Sequence, residues 1–310
     1  MGETKLHNPW LVAVWPGMGH VAMSAGYFLM AKLGMELLAE FEAHALFEVE
    51  HVEVKDGLIQ PGPLPRSRLF AWRDPRGKHD IVLFLGEAQP PLGRHAFCHR
   101  LIEEAKELGV ERVFTFAAMA TPMRPEHDSR VFGAATSGEG LKELTRFELH
   151  LLEGGYISGL NGVLLGVAAE EGLPGTCLLG EMPHVFAKLP FPKASLAVLE
   201  VFTTIAGIEL DLGELSEQAR VMEQRLGDLL TQIEQAVQQG ARSDDVEAML
   251  GDQRKEQEGL GPEDEKRIEA LFAQAREDRS KSYELKRELD RLGVFREYED
   301  RFLDLFQKPT

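Results

Sequence analysis

The stretch LVAVWPGMGHVAMSAGYFLMAKLG, from Leu11 to Gly34, decides the fold class. It begins with an apolar run of strand length, turns through residues 16–19, and continues with apolar residues at helical spacing. Gly17, Gly19 and Ala22 also have the G-x-G-x-x-A spacing of a dinucleotide-binding turn. A strand, a tight loop and a helix in this order are typical of the first unit of an α/β sheet.

Further units of the same kind follow as far as residue 212. The predicted strands are Leu11–Trp15, Ala45–Val52, Asp80–Leu85, Arg112–Ala118 and Gly175–Leu179, and the predicted helices are Ala22–Leu38, Arg94–Leu108, Gly140–Leu149 and Ser195–Ala206. Continuous apolar runs such as IVLFL at 81–85 favour strands that are covered on both faces. We therefore predict that residues 1–212 form a three-layer α/β/α sandwich around a mostly parallel or mixed sheet.

Residues 213–310 are a different kind of sequence. Apolar residues at alternating spacings of four and three predict the seam of a long helix: Leu215, Ala219, Met222, Leu226, Leu229, Ile233 and Ala236. A short connecting helix is predicted at Asp244–Leu250 with Ser243 as its N-cap, and a second long helix from about Glu263 to Phe306. We predict an acidic helical hairpin, which either folds onto its own core or serves as an arm for oligomerisation or partner binding.

The composition excludes several classes of partner. The chain has 51 acidic and 34 basic residues, a formal net charge of −17, which opposes binding to nucleic acid or to an anionic membrane surface. No apolar run reaches the length of a membrane span. Two cysteines cannot build a disulfide framework, and the N-terminus lacks the pattern of a signal peptide, so we expect a cytoplasmic protein.

Motifs for catalysis are weak in this chain. It contains neither a G-x-x-x-x-G-K-[ST] phosphate loop nor a G-x-S-x-G nucleophile elbow. His95 and His99 stand four residues apart with Cys98 beside them, which resembles a metal face on a helix, but no third ligand is near in sequence. We interpret them as a surface histidine pair and Cys177 as a small buried hydrophobe. We expect no catalytic residue, no cofactor and no metal.

One candidate ligand site remains, at the loop ends of the predicted sheet. Its members are Gly17, Gly19, His20, Glu87, Asn161 and His184. Open α/β sheets bind ligands at the carboxyl ends of their strands, so these residues predict a pocket for a nucleotide or nucleoside. The alternative is that the glycines only allow a sharp turn and close helix packing, and that Glu87 only fixes its loop.

Several segments together resemble the proteasome assembly chaperone 2 family. They are PGMGHVA at 16–22, IVLFLGEAQPP at 81–91, AMATPMRPEHDSRVFGAAT at 118–136 and the block from Asn161 to Leu215 with its EMPH and PKA motifs. The resemblance covers roughly residues 8–215.

This resemblance implies an α/β/α domain without an established catalytic constellation. Eukaryotic members help to assemble proteasome α-subunits, and archaeal and bacterial members form homo-oligomers. The chain departs from members that dock on the proteasome through a hydrophobic-Tyr-X tail, because it ends in FQKPT. We therefore expect a non-enzymatic oligomeric scaffold or assembly chaperone with an unknown protein client. The alternative is a binding protein or an enzyme for a small molecule, a nucleotide or nucleoside, that uses the Gly17/Gly19 loop and the strand-end residues.

Overall fold

A mixed eight-stranded sheet forms the middle layer of the protein. The computed structural model describes residues 5–47, 52–55, 57–61, 64–239 and 261–307. Its strands are β1 (Trp10–Val14), β2 (Glu36–Glu40), β3 (Val52–Lys55), β4 (Leu58–Pro61), β5 (Ser67–Trp72), β6 (Ile81–Gly86), β7 (Arg112–Thr121), β8 (Val131–Ala135), β9 (His150–Leu151) and β10 (Gly175–Pro183). Its α-helices are α1 (Val21–Leu33), α2 (Arg94–Glu107), α3 (Gly138–Arg146), α4 (Gly159–Glu170), α5 (Pro192–Ala206), α6 (Gly213–Gln238), α7 (Pro262–Glu277), α8 (Ser282–Arg291) and α9 (Phe295–Leu303).

The strand order in the sheet is β2-β5-β6-β1-β7-β10-β8-β9. The four central strands β6, β1, β7 and β10 are parallel, whereas β5 and β8 pair antiparallel to them on either side. Strands β3 and β4 form a separate antiparallel hairpin. The carboxyl ends of the central strands consequently lie at one edge of the sheet, where loops can build a site.

Helices cover both faces of the sheet, which confirms the predicted α/β/α fold. Side chains alternate along a strand, so Val12 and Val14 lie in one core and Leu11 and Ala13 in the other. The first core is closed by α1, α5 and the C-terminal helices, and the second by α2 and α4. All six residues of β6 are buried, as its continuous apolar run predicts.

Two predicted elements near the N-terminus are wrong. Helix α1 ends at Leu33 because Gly34 adopts φ 59° and caps it, so the following residues form strand β2 and no helix extends to Leu38. The predicted strand Ala45–Val52 begins in a 3₁₀ turn at His44–Leu46, and residues 48–51 lie outside the described residues. The sheet uses β5 as the partner of β6 instead.

The C-terminal helices pack onto the α/β layers. Helix α6 lies against α5, and the region predicted as one helix after Gly261 contains α7, α8 and α9. Aromatic side chains of the C-terminal region contact α1 and β5 in four edge-to-face pairs: Tyr27 with Phe295, Tyr27 with Phe302, Phe28 with Tyr283, and Phe70 with Phe306. They therefore share one hydrophobic core with the sheet. The predicted helix Asp244–Leu250 with its N-cap Ser243 lies outside the described residues.

The predicted boundary between residues 212 and 213 coincides with the start of α6. The core that residues 1–212 share with the C-terminal helices argues against independent folding of residues 1–212. Within the part of the chain that the structure describes, no helix is long and apolar enough to cross a membrane.

Candidate functional site

The candidate site lies at the carboxyl edge of the central strands. Four segments meet there in sequence order: residues 15–20 after β1, residues 87–91 after β6, the first turn of α4, and residues 182–187 at the end of β10. Hydrogen bonds between these segments define their geometry, and all six predicted site residues belong to them.

Gly19 is held by β10 and the loop that follows it. Its amide donates to the Ala187 carbonyl at 2.9 Å, and its carbonyl accepts from the Phe191 amide at 2.9 Å. Its φ is +60°, and a Cβ added there would lie 2.6 Å from the sulfur of Met182. A glycine here avoids both the strain of a positive φ and a close contact with the buried side chain of Met182. His20, which follows, is exposed and also adopts a positive φ of 52°.

Gln89 links the glycine loop to α4, and the sequence analysis missed it. Its side-chain amide donates to the Pro16 carbonyl at 3.2 Å, and its Oε1 accepts from the Leu160 amide at 3.1 Å. Gly159 adopts φ +72°, and a Cβ there would lie 2.7 Å from Gln89 Oε1. Gly17 is exposed, with no close contact for an added Cβ. The only sequence signal for Gln89 was its place in the loop that also contains Glu87.

Glu87 takes part in a different network, between β5 and the C-terminal helices. Its Oε2 accepts from the Arg66 amide at 2.8 Å, and its Oε1 accepts from Arg68 Nη1 at 2.7 Å. Arg68 is buried and also binds Asp300 of α9. Burial raises the pKa of the Glu87 carboxyl, although the Arg66 amide and Arg68 act in the opposite direction. Glu87 thus fixes its loop, and Arg68 joins the sheet to α9.

Asn161 and His184 are positioned by neighbouring strands. The Asn161 carbonyl accepts from the Thr115 hydroxyl at 3.2 Å, and His184 Nδ1 lies 3.0 Å from the Thr121 carbonyl. The side-chain oxygen of Asn161 is buried without a hydrogen-bond partner, as is the indole nitrogen of Trp15. Both belong to the edge where the glycine loop leaves β1.

Glu181 in β10 forms a second charged cluster at this edge. Arg130 binds its carboxylate through two nitrogens, at 2.7 and 2.6 Å, and the Thr121 hydroxyl donates to it at 2.7 Å. The hydrogen bond from Arg130 is the main reason why the pKa of Glu181 lies below its usual value. Sequence reasoning included Glu181 only within the EMPH motif and assigned it no role. Its contacts hold β7, β10 and the loop before β8 together.

The predicted site residues are therefore only partly brought together. Gly17, Gly19 and Asn161 belong to segments that Gln89 connects, and His184 follows the strand on which Gly19 packs. Glu87 bonds away from them, to Arg68.

A groove of about 460 Å³ lies elsewhere, between the loop after β7 and helix α6. Arg124 bridges the two elements through Glu234 at 2.7 Å. The groove is lined by charged side chains that include Arg220, Glu223 and Asp228.

The fold is a three-layer α/β/α sandwich, and the loops at the carboxyl edge of its sheet are joined by hydrogen bonds within the chain. A sequence model of the PAC2 family matches residues 11–230, and the chain belongs to this family. The predicted resemblance to the proteasome assembly chaperone 2 family is thereby confirmed.

Individual relatives support the assignment. An uncharacterized protein of Methanocaldococcus jannaschii is 31% identical over 222 residues, which is 71% of this chain and 82% of the relative. The crystal structure of Pyrococcus furiosus PbaB, described as an archaeal proteasome activator, matches with a TM-score of 0.62 and 25% identity over 74% of this chain and 96% of PbaB. Pyrococcus furiosus PbaA, described as an archaeal homolog of proteasome-assembly chaperone, matches with a TM-score of 0.57 and 27% identity over 75% of this chain and 96% of PbaA.

Proposed function

We propose that the protein is a non-enzymatic, oligomeric scaffold of the assembly-chaperone type, which acts on a protein client in the cytoplasm. The observation that carries this proposal is the match of its α/β layers to PbaB and PbaA over three quarters of the chain. Those two proteins are described as a proteasome activator and as a homolog of proteasome-assembly chaperone. A proteasome subunit is accordingly the first client to test.

The glycine loop supports a scaffold more than a nucleotide pocket. Dinucleotide-binding turns leave their backbone amides free to bind phosphate. Here the Gly19 amide donates to Ala187, and the Leu160 amide at the start of α4 donates to Gln89. Groups that a phosphate would use are bonded within the protein.

The β3–β4 hairpin supplies an apolar surface for self-association. Val54 and Ile59 are direct cross-strand partners, and their exposed fractions are 69% and 74%. Val52 lies two residues before Val54, on the same face, and is 51% exposed. Clustered exposed apolar side chains of this kind mark protein contacts. The glycine-rich segment 154–165 is less suited to this contact, because Leu160 and Leu164 are buried in the chain's own core.

Light scattering tests the oligomer. We expect the full-length protein to be an oligomer at micromolar concentration, with little dependence on salt, and to dissociate when Val54 and Ile59 are both changed to lysine. The matched control is Val221→Lys on α6, because Val221 is 53% exposed and outside the hairpin. Residues 211–310 carry 25 acidic and 16 basic residues, so copies of this region repel one another, and salt screens that repulsion. An association that strengthens with salt would therefore place the contact on the C-terminal helices. A wild-type monomer would contradict the oligomer.

The client is tested by mixing the purified protein with recombinant proteasome α-subunits of its host and separating the products by native mass spectrometry. We expect a defined complex, and crosslinks that reach the same surface when the protein is captured from native cells. The proposal would be contradicted if no complex forms and if the melting temperature of the protein rises saturably on adding ATP, NAD or a nucleoside. A ligand at a hundred times its dissociation constant stabilises the fold by about 2.7 kcal/mol. Such an effect would support the small-molecule alternative.

A further inference from the structure

Two histidines of α2 lie on one face of the helix, one turn apart. His95 and His99 have ring centroids 4.5 Å apart. Their side chains are 63% and 34% exposed, so both rings are partly open to solvent. Cys98 does not belong to this face, because it is buried in the core and burial raises the pKa of its thiol to about 12.

The third member comes from α4, which packs beside α2. Glu170 Oε2 lies 3.5 Å from His95 Nε2 and 3.6 Å from His99 Nε2. The three ligand atoms all lie within 4.8 Å of one another. The sequence places Glu170 more than 70 residues from the histidines, which is why no third ligand was found near them.

The two distances from Glu170 Oε2 to the histidine nitrogens match those in a metal site. Ligand atoms about 2.1 Å from a tetrahedral zinc ion lie roughly 3.4 Å from each other. Two imidazoles and one carboxylate are a donor set that suits zinc and its neighbours in the first transition row, whereas magnesium and calcium prefer oxygen alone. We propose that His95, His99 and Glu170 bind one zinc ion, with water in the fourth position.

The surroundings of the three ligands fit this role. Glu171 Oε1 lies 3.9 Å from His99 Nδ1, beyond hydrogen-bond distance, and Glu171 itself binds Lys106 Nζ at 2.5 Å. The Glu171 carboxylate adds negative charge next to the three ligands, which favours a bound cation. A bound ion would tie α2 to α4, whose first turn Gln89 connects to the glycine loop. The site is thus a clamp between two helices and does not depend on the proposed client.

Isothermal titration of the metal-free, full-length protein with zinc chloride tests the proposal. We expect one zinc per chain with a micromolar or tighter dissociation constant and a higher melting temperature in the presence of zinc. His95→Ala, His99→Ala and Glu170→Gln should each weaken binding on the order of ten-fold or more. The matched control is His150→Ala, because His150 is also an exposed histidine, on β9, and should leave zinc affinity unchanged.

Cobalt binding gives a second readout that does not depend on stability. The wild-type protein should give the intense visible absorption of four-coordinate Co²⁺, and Glu170→Gln should weaken or remove it. Circular dichroism establishes that each variant is folded. Zinc affinity that is equal in wild type and in the three folded variants would overturn the proposal, as would a dissociation constant in the millimolar range.

Discussion

Phe302→Ala tests whether the C-terminal helices belong to the same cooperative unit as the sheet. Phe302 is fully buried, and its ring lies 5.9 Å from Tyr27 of α1, 5.5 Å from Phe295 and 5.6 Å from Phe306. Truncating a buried phenylalanine to alanine costs about 3–5 kcal/mol, because apolar contacts are lost and a cavity remains. For a chain of this length the corresponding drop in melting temperature is about 5–8 °C.

Tryptophan fluorescence follows the unfolding of the α/β layers, which do not contain the mutated residue. All three tryptophans, Trp10, Trp15 and Trp72, lie before residue 73, so their emission reports on the α/β layers and not on the mutated helix. If the C-terminal helices complete the core, the fluorescence transition shifts together with the far-ultraviolet circular dichroism. Val221→Ala on the exposed side of α6 is the control and should change stability by less than about 0.5 kcal/mol.

A different outcome would refute this reasoning. If the C-terminal helices fold as a separate unit, Phe302→Ala will shift only part of the dichroism signal and leave the tryptophan transition in place. The same logic applies to a chain truncated after residue 212. We expect it to be unstable, because Tyr27, Phe28 and Phe70 would lose their aromatic partners.

Two further predictions concern the edge of the sheet. Gly19→Ala should lower the free energy of unfolding, measured in urea, by about 1–3 kcal/mol more than Gly34→Ala does. Both glycines have φ near +60°, but only at Gly19 would a Cβ meet buried Met182. Equal losses would show that backbone strain alone matters. Glu181→Gln should lower the free energy of unfolding at pH 7. The difference in free energy between variant and wild type should shrink as the pH falls below about 4.3. The reason is that a carboxyl whose pKa is lowered in the folded state stabilises the fold only while it is ionised. A difference that is constant from pH 7 to pH 3 would contradict the role of the bond to Arg130.

Local sequence patterns were sufficient for the elements that carry the fold class. The apolar runs before Pro16 and at 81–85 predicted strands β1 and β6. A short, continuous apolar segment bounded by turn residues is typical of a strand that is buried on both faces, between two layers of helices. Where an element lacked its own periodicity, as in β2 and β5, only the pairing with a neighbouring strand defined it.

Contacts between residues far apart in the chain were decided by the tertiary structure alone. The seam of α6 predicted a helix with a buried face, but an apolar face has no preference of its own between another C-terminal helix and α5. In the same way, Glu87 has its partners in Arg66 and Arg68, and His99 meets Glu170 only because α2 and α4 pack on the same side of the sheet. The sequence determined which segments are apolar and where the chain turns, since these depend on neighbouring residues. Which surfaces meet depends on how all the helices and strands bury their apolar area together, and no local pattern contains that information.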